Sequence, residues 1–151
     1  MNETDSNPLK IALGTDHAGF LYKEAIKEHL HHLGYETKDF GTFSEKSVDY
    51  PDFVIPACEA LGKSLVDLAI VLGGSGNGEA MAANKVSGVR CALCWSTGTA
   101  KLAKEHNDAN ALAIGARQIS CELALDIVDT WLSSKFEGGR HTRRIQMLDS
   151  I

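Results

Sequence analysis

Ala69-Ile-Val-Leu-Gly-Gly-Ser-Gly-Asn-Gly-Glu-Ala-Met-Ala-Ala-Asn-Lys85 decides how the rest of this 151-residue sequence is read. An apolar run with β-branched members ends in Gly73, Gly74, Gly76 and Gly78, and an alanine-rich segment of helix formers follows. That is the pattern of a buried strand, a tight turn and a helix start. The glycines let the backbone approach a ligand closely, and a helix beginning near Gly78 aims free N–H groups at the same place. Such a turn suits an anion. It differs from other glycine turns in carrying a carboxylate, Glu79, and a hydroxyl, Ser75.

Two familiar glycine motifs fail on named residues. Gly73 and Gly78 have P-loop spacing, but Glu79 and Ala80 stand where Lys and Ser/Thr would hold phosphates and metal. Gly74-x-Gly76 is followed at the third position by Glu79, not by the third glycine of a dinucleotide fingerprint. No acid near residues 91–100 is placed to hold a ribose hydroxyl. An anion hole beside a carboxylate suits a different task, in which an enolate is stabilised while a base moves its proton.

Outward from the turn, strands and helices alternate. Strands are expected over 10–15, 35–40, 65–72, 89–95 and 110–116, and helices over 20–33, 51–61, 78–86, 97–105, 121–132 and 141–148. The first helix places Leu21, Ala25, Ile26, His29, Leu30 and Leu33 near one face. Gly34 ends it, Pro51 starts the second, and Ser120 caps the fifth. The alternation predicts an α/β fold, a Rossmann-like parallel sheet with helices on both faces. Ligands of such sheets gather beyond the carboxyl ends of the strands. That edge holds Asp16, His17, Ser75 to Glu79, Ser96 to Thr99, and Arg117.

Composition excludes several classes. The chain is long enough for one domain, 1–151, with a substantial core. Its apolar (44%) and charged (23%) shares are those of an ordinary globular protein. A formal net charge of −5 argues against nucleic-acid binding. Residues 1–8 are polar, expected to be flexible, and unlike a signal peptide; no apolar run has membrane-span length, so the expected location is cytoplasmic. Cys91-x-x-Cys94 has metal-ligand spacing, but on a strand an offset of three puts the side chains on opposite faces. The four cysteines, Cys58 and Cys121 included, read as small buried apolar residues.

Gly-Thr-Asp-His-Ala-Gly (14–19), Asp49-Tyr50-Pro51, Gly-Gly-Ser-Gly-Asn-Gly-Glu (73–79), Ala83-Asn84-Lys85, His106-Asn107-Asp108 and Gly139-Arg140-His141 together resemble the type-B ribose-5-phosphate isomerase family. That family includes galactose- and allose-6-phosphate isomerases, and the resemblance runs from about Lys10 to Leu148. It implies a three-layer α/β/α sandwich on a five-stranded parallel sheet. It further implies aldose–ketose isomerisation of a sugar phosphate through an enediolate, without metal or cofactor, by a homodimer or dimer of dimers whose sites are shared between subunits. Many members carry a cysteine base at the position of Ser75. This sequence resembles the subgroup in which the following glutamate, Glu79, is the base.

By the same resemblance His106 opens the sugar ring, Asp16 and His17 hold sugar oxygens, and Asn107 assists at the enediolate. Gly74, Gly76, Asn77 and Gly78 line the anion hole. Arg140 and Arg144 hold the phosphate with Arg117 nearby, which makes about 137–151 a phosphate-clamp segment. Arg140 and Arg144 are four apart on one helical face, whereas Arg143 points elsewhere. His29, His31 and His32 have no implied partner. Tyr50 reads equally as a core aromatic or a wall of the sugar pocket. Helix-dipole stabilisation should lower the Glu79 pKa, with burial against Met81 and apolar neighbours opposing it. The chain length of the sugar is open among ribose 5-phosphate, allose or galactose 6-phosphate and erythrulose 4-phosphate. A non-catalytic phosphosugar binder would need neither Glu79 nor His106.

Overall fold

In the computed structural model, which describes residues 7–151, five short runs form one parallel sheet. The strands are β1 (Lys10–Thr15), β2 (Glu36–Asp39), β3 (Leu68–Gly73), β4 (Cys91–Leu93) and β5 (Ala111–Gly115), in the order β2-β1-β3-β5-β4. The expected flexible leader, 1–8, lies almost wholly outside the described residues. The helices are α1 (Phe20–His32), α2 (Pro51–Gly62), α3 (Asn77–Asn84), α4 (Thr97–Asn107), α5 (Cys121–Ser133) and α6 (Arg140–Asp149). None is long and apolar enough to cross a membrane.

Because side chains alternate across a strand, each strand feeds two cores. Ile11, Leu13, Ile70, Leu72, Leu112 and Ile114 face α1, α4 and α5, where the fully buried Trp131 packs. Ala12, Ala69, Val71, Ala111 and Ala113 face α2 and α3. The three-layer sandwich follows directly. Cys91 and Cys94 fall on opposite faces, Cys91 packing with the second core and Cys94 belonging to the first.

The fold also locates the crevice. The helix after β1 covers one face of the sheet and the helix after β3 covers the other. Neighbouring strands whose connections leave in opposite directions open a cleft between their carboxyl ends. That cleft lies between Asp16 and the glycine turn.

Element ends differ from the sequence expectation by a few residues. Leu65 is exposed, and β3 starts only at Leu68, after a turn with Ser64 at φ 59°. The larger correction concerns the buried face of α1. Leu21 and Leu33 are exposed, and the helix instead buries Lys23, Ile26 and Leu30. Lys23 Nζ meets Asp39 at 2.7 and 2.6 Å and lies 4.7 Å from the centroid of the Phe43 ring. Burial alone would raise the Asp39 pKa; hydrogen bonds from Lys23, the Gly41 N–H and Lys27 outweigh it and hold the carboxyl below its ordinary value. The same carboxylate fixes Gly41, whose carbonyl accepts from Thr15 N–H at 2.7 Å, so the loop after β2 is tied to the end of β1. His29 has a partner after all, with Nε2 2.6 Å from Asp129 Oδ1 on α5.

Candidate active site

At the end of β1 the chain turns sharply, and Asp16 caps that turn. Its Oδ1 accepts from the N–H groups of Ala18 at 2.9 Å and Gly19 at 3.3 Å, which holds a buried carboxylate in one orientation. Next to it, His17 Nδ1 accepts the N–H of Val48 at 3.1 Å. A ring nitrogen that accepts a backbone N–H carries no proton, so the His17 ring proton sits on Nε2. Its sequence gives no hint of this, because the partner lies 31 residues away in the loop after β2.

Across the cleft, Gly76 adopts φ +82° and starts α3 without any side-chain cap. A left-handed turn there is what allows the chain to pass from β3 into a helix so abruptly. Ser75 Oγ accepts the Asn77 N–H at 3.2 Å, with both side chains exposed. A Cβ at Gly78 would strike the phenol of Tyr50, which therefore lies over the first turn of α3 while its ring also packs on the second core. Of the two uses left open by the sequence, core packing is the one seen, with the phenol standing over the glycine turn. Arg117 donates its N–H to Gly74 O at 3.0 Å, and its side chain covers Gly74.

Glu79 occupies the centre of this arrangement. It is 4% exposed, and its carboxylate rests against Gly73, where any side chain at 73 would collide with it. Burial raises its pKa, the Asp16 charge adds to the rise, and a hydrogen bond from its own N–H opposes it. The net direction is upward. The expected lowering by the helix dipole is thus overridden, and not by Met81, which is 68% exposed. The shielding comes from the fold of the turn itself.

The remaining sequence candidates lie elsewhere. The helix α4 leaves the carboxyl end of β4 and runs back for 11 residues, about 16 Å at 1.5 Å per residue, to reach the amino end of β5. His106 and Asn107 end that helix. Asn107 O accepts from Arg90, the residue before β4, and Arg90 also grips Asp149 at the end of α6. Arg140 and Arg144, both exposed, sit on α6. Within one chain the candidates therefore form two groups at opposite ends of the sheet. Asp16, His17, Tyr50, Ser75 to Glu79 and Arg117 are at the carboxyl end, and His106, Asn107, Arg140 and Arg144 are at the other.

Two residues that sequence reasoning left without a role join the second group. The His106 ring stacks on that of His141, with centroids 4.3 Å apart and planes 15° from parallel. Glu137 Oε2 lies 3.5 Å from His141 Nε2 and 4.0 Å from His106 Nε2. Glu137 and His141 are four apart, but α6 begins only at Arg140, so helical spacing alone would not have paired them.

Known proteins match this architecture along nearly its whole length. The sequence profile of the ribose/galactose isomerase family covers residues 11–148. This chain belongs to the ribose/galactose isomerase family. Ribose-5-phosphate isomerase B of Escherichia coli is 42% identical over 142 residues, 94% of this chain and 95% of that protein. The protein of the same name from Mycolicibacterium paratuberculosis is 47% identical, covering 93% and 89%. Among solved structures, ribose-5-phosphate isomerase B of Clostridium thermocellum superposes with a TM-score of 0.92 at 47% identity, covering 94% of this chain and 96% of its own. The Mycoplasma genitalium enzyme, solved with bound ribulose-5-phosphate, gives 0.90 at 39% identity, covering 93% and 94%. The carboxyl-end group sets a buried carboxylate, Glu79, beside a helix start without a side-chain cap.

Proposed function

We propose that this aldose–ketose isomerase interconverts ribose 5-phosphate and ribulose 5-phosphate through an enediolate, with Glu79 as the base. The observation that carries the reading is the buried Glu79 carboxylate, raised in pKa, beside an uncapped helix start. The names of the relatives and the ribulose-5-phosphate in the Mycoplasma structure support the five-carbon substrate.

In the aldose direction His106 protonates the ring oxygen while Asp16 or water takes the anomeric hydroxyl proton, which frees the aldehyde. Asn107 assists at the enediolate. Glu79 removes the C2 proton, and the electron pair moves to form the C1–C2 double bond with negative charge on O1. Asn77 and Glu79 have committed their N–H groups locally, so the donors offered to O1 are those of Gly74, Ser75, Gly76 and Gly78. The Ser75 hydroxyl passes a proton from O2 to O1. Glu79 then returns its proton to C1, and C2 becomes the ketone. No atom or electron is left over, and no cofactor is called for. His17, by its fixed tautomer, donates Nε2–H to a sugar oxygen, and Tyr50 forms a wall. Arg140 and Arg144, with Arg117 nearby, hold the phosphate. General-base catalysis contributes about 10²–10⁴-fold and each oxyanion donor about 3–4 kcal/mol, so Glu79 and the turn supply most of the acceleration.

His106 and Glu79 of one chain stand at opposite ends of the sheet, so a working site takes His106, Asn107, Arg140 and Arg144 from a second copy. The amino-end face offered to that copy holds a groove of about 610 Å³ lined by Val89, Arg90, Asn107 and Leu148, with Ile151 at its rim 97% exposed. The assembly is a homodimer or a dimer of dimers. Mixing unfolded Glu79→Gln and His106→Ala chains and refolding them tests both proposals. Assayed from cyclic ribose 5-phosphate, each variant alone should be nearly inactive, and random pairing should restore about one quarter of wild-type turnover, because half the dimers hold one intact site. No recovery would place both residues in one chain's site or outside catalysis. Assays on allose 6-phosphate and erythrulose 4-phosphate fix the sugar length.

A further inference from the structure

We propose that His106, Glu137 and His141 bind a divalent transition-metal ion of the zinc class, and that the bound ion excludes the sugar phosphate. The ion is an inhibitory ligand and takes no part in the isomerisation.

The donor set is the first support. Two imidazoles and one carboxylate, leaving a fourth position open, form one of the sets that hold zinc in proteins. The three donor atoms lie within 4.8 Å of one another, the one such cluster among the described residues. Bonds of 2.0–2.2 Å at tetrahedral angles place ligand atoms roughly 3.3–3.5 Å apart. Glu137 Oε2 is already 3.5 Å from His141 Nε2 and 4.0 Å from His106 Nε2. The two rings lie only 15° from parallel and each nitrogen donates in its own ring plane, so binding one ion requires the His106 ring to turn out of the stack.

The scaffold supports it independently. His106 is set by the last turn of α4, and the Glu137 N–H donates to Glu105 O at 3.0 Å, which fastens the segment before α6 to that same turn. Gly138 and Gly139, at φ +70° and +57°, reverse the chain so that His141 returns beneath His106. His141 is 8% exposed, whereas Glu137 is an exposed residue free to swing onto an ion. One ligand is thus held rigidly, one is set by a helix end, and one is adjustable. This suits an exchangeable ion better than a structural one.

The inhibitory half rests on the assignment of His106 to the sugar site, since an imidazole whose Nε2 is coordinated cannot serve a ring oxygen. The binding half does not. Titration of the full-length protein with Zn²⁺ in competition with a chromophoric chelator should show one ion per chain, and Co²⁺ should give the intense visible bands of a four-coordinate site. Loss of an outer-shell partner typically weakens a metal site by about 10–100-fold, so Glu137→Gln should weaken binding at least tenfold. His141→Gln should do the same; should that buried position fail to fold, the exposed Glu137 carries the test alone. Binding unaffected by Glu137→Gln, or no binding at micromolar Zn²⁺, overturns the site. Binding with the expected variants, but with ribose 5-phosphate turnover unchanged by Zn²⁺, overturns the inhibition and the role of His106 while leaving the site standing.

Discussion

The Glu79 carboxylate rests on the bare Cα of Gly73, in the volume that any side chain at 73 would take. The glycine that ends β3 is thus a docking surface for the proposed base as well as the start of a turn. Gly73→Ala should displace that carboxylate and lower kcat about 10²–10⁴-fold, as loss of a general base does. Overpacking should cost about 1–3 kcal/mol of stability without unfolding the sheet. Steady-state kinetics beside a thermal melt separates the two effects.

The raised Glu79 pKa makes opposite demands on activity and stability. The base must be ionised, so kcat should fall as pH drops through the folded-state pKa, giving an acid limb above the ordinary glutamate value. Between the unfolded and folded pKa values the native state binds more protons, so stability is lost as pH rises through that window. Glu79→Gln, which cannot ionise, should therefore be inactive yet more stable than wild type at pH 7, with the advantage vanishing near pH 4. Each tenfold displacement of the Glu79 equilibrium corresponds to about 1.4 kcal/mol. Denaturant melts at the two pH values measure the difference.

Ring opening gives His106 a kinetic signature. In His106→Ala, linear aldose reaches the enzyme only by uncatalysed opening. The rate from ribose 5-phosphate should then stop rising as more enzyme is added, while the rate from ribulose 5-phosphate stays proportional to enzyme. Proportionality in both directions would remove His106 from that step.

Arg140 and Arg144 lie one turn apart on the exposed side of α6, away from the buried His141 and Ile145. If they hold an unreacting phosphate, their joint replacement by alanine should chiefly raise KM. Arg143→Ala is the control and should leave both constants near wild type. An unchanged KM in the double variant would end the clamp assignment.

Thiol reagents should spare the enzyme. Burial pushes the Cys58 thiol up to about 12 and Cys94 to about 11, and raises Cys91 and Cys121 as well. Little thiolate exists at neutral pH to attack iodoacetamide. Activity should survive an hour of alkylation that fully labels a free thiol standard. Rapid, substrate-protected inactivation would show a reactive cysteine in the cleft.

What the sequence determined by itself was local. Apolar runs broken by Gly34, the Gly73–Gly78 turn and Pro51 dictate where strands end and helices begin, because backbone freedom and side-chain periodicity act over a few residues. The alternation of those elements, in turn, leaves a parallel sheet flanked by helices as the one way to bury both faces. Tertiary structure decided what lies opposite each side chain. Lys23 is buried because Asp39 and Phe43 surround it, and the His17 tautomer is set by a backbone N–H 31 residues away. Glu79 has a raised pKa because the fold buries its carboxylate and sets Asp16 near it, where its helix position alone implied the reverse. The course of α4 also carries His106 away from Glu79 and onto His141 and Glu137. Periodicity reports which way a side chain points; desolvation, charge and ligand geometry depend on what the rest of the chain brings to meet it.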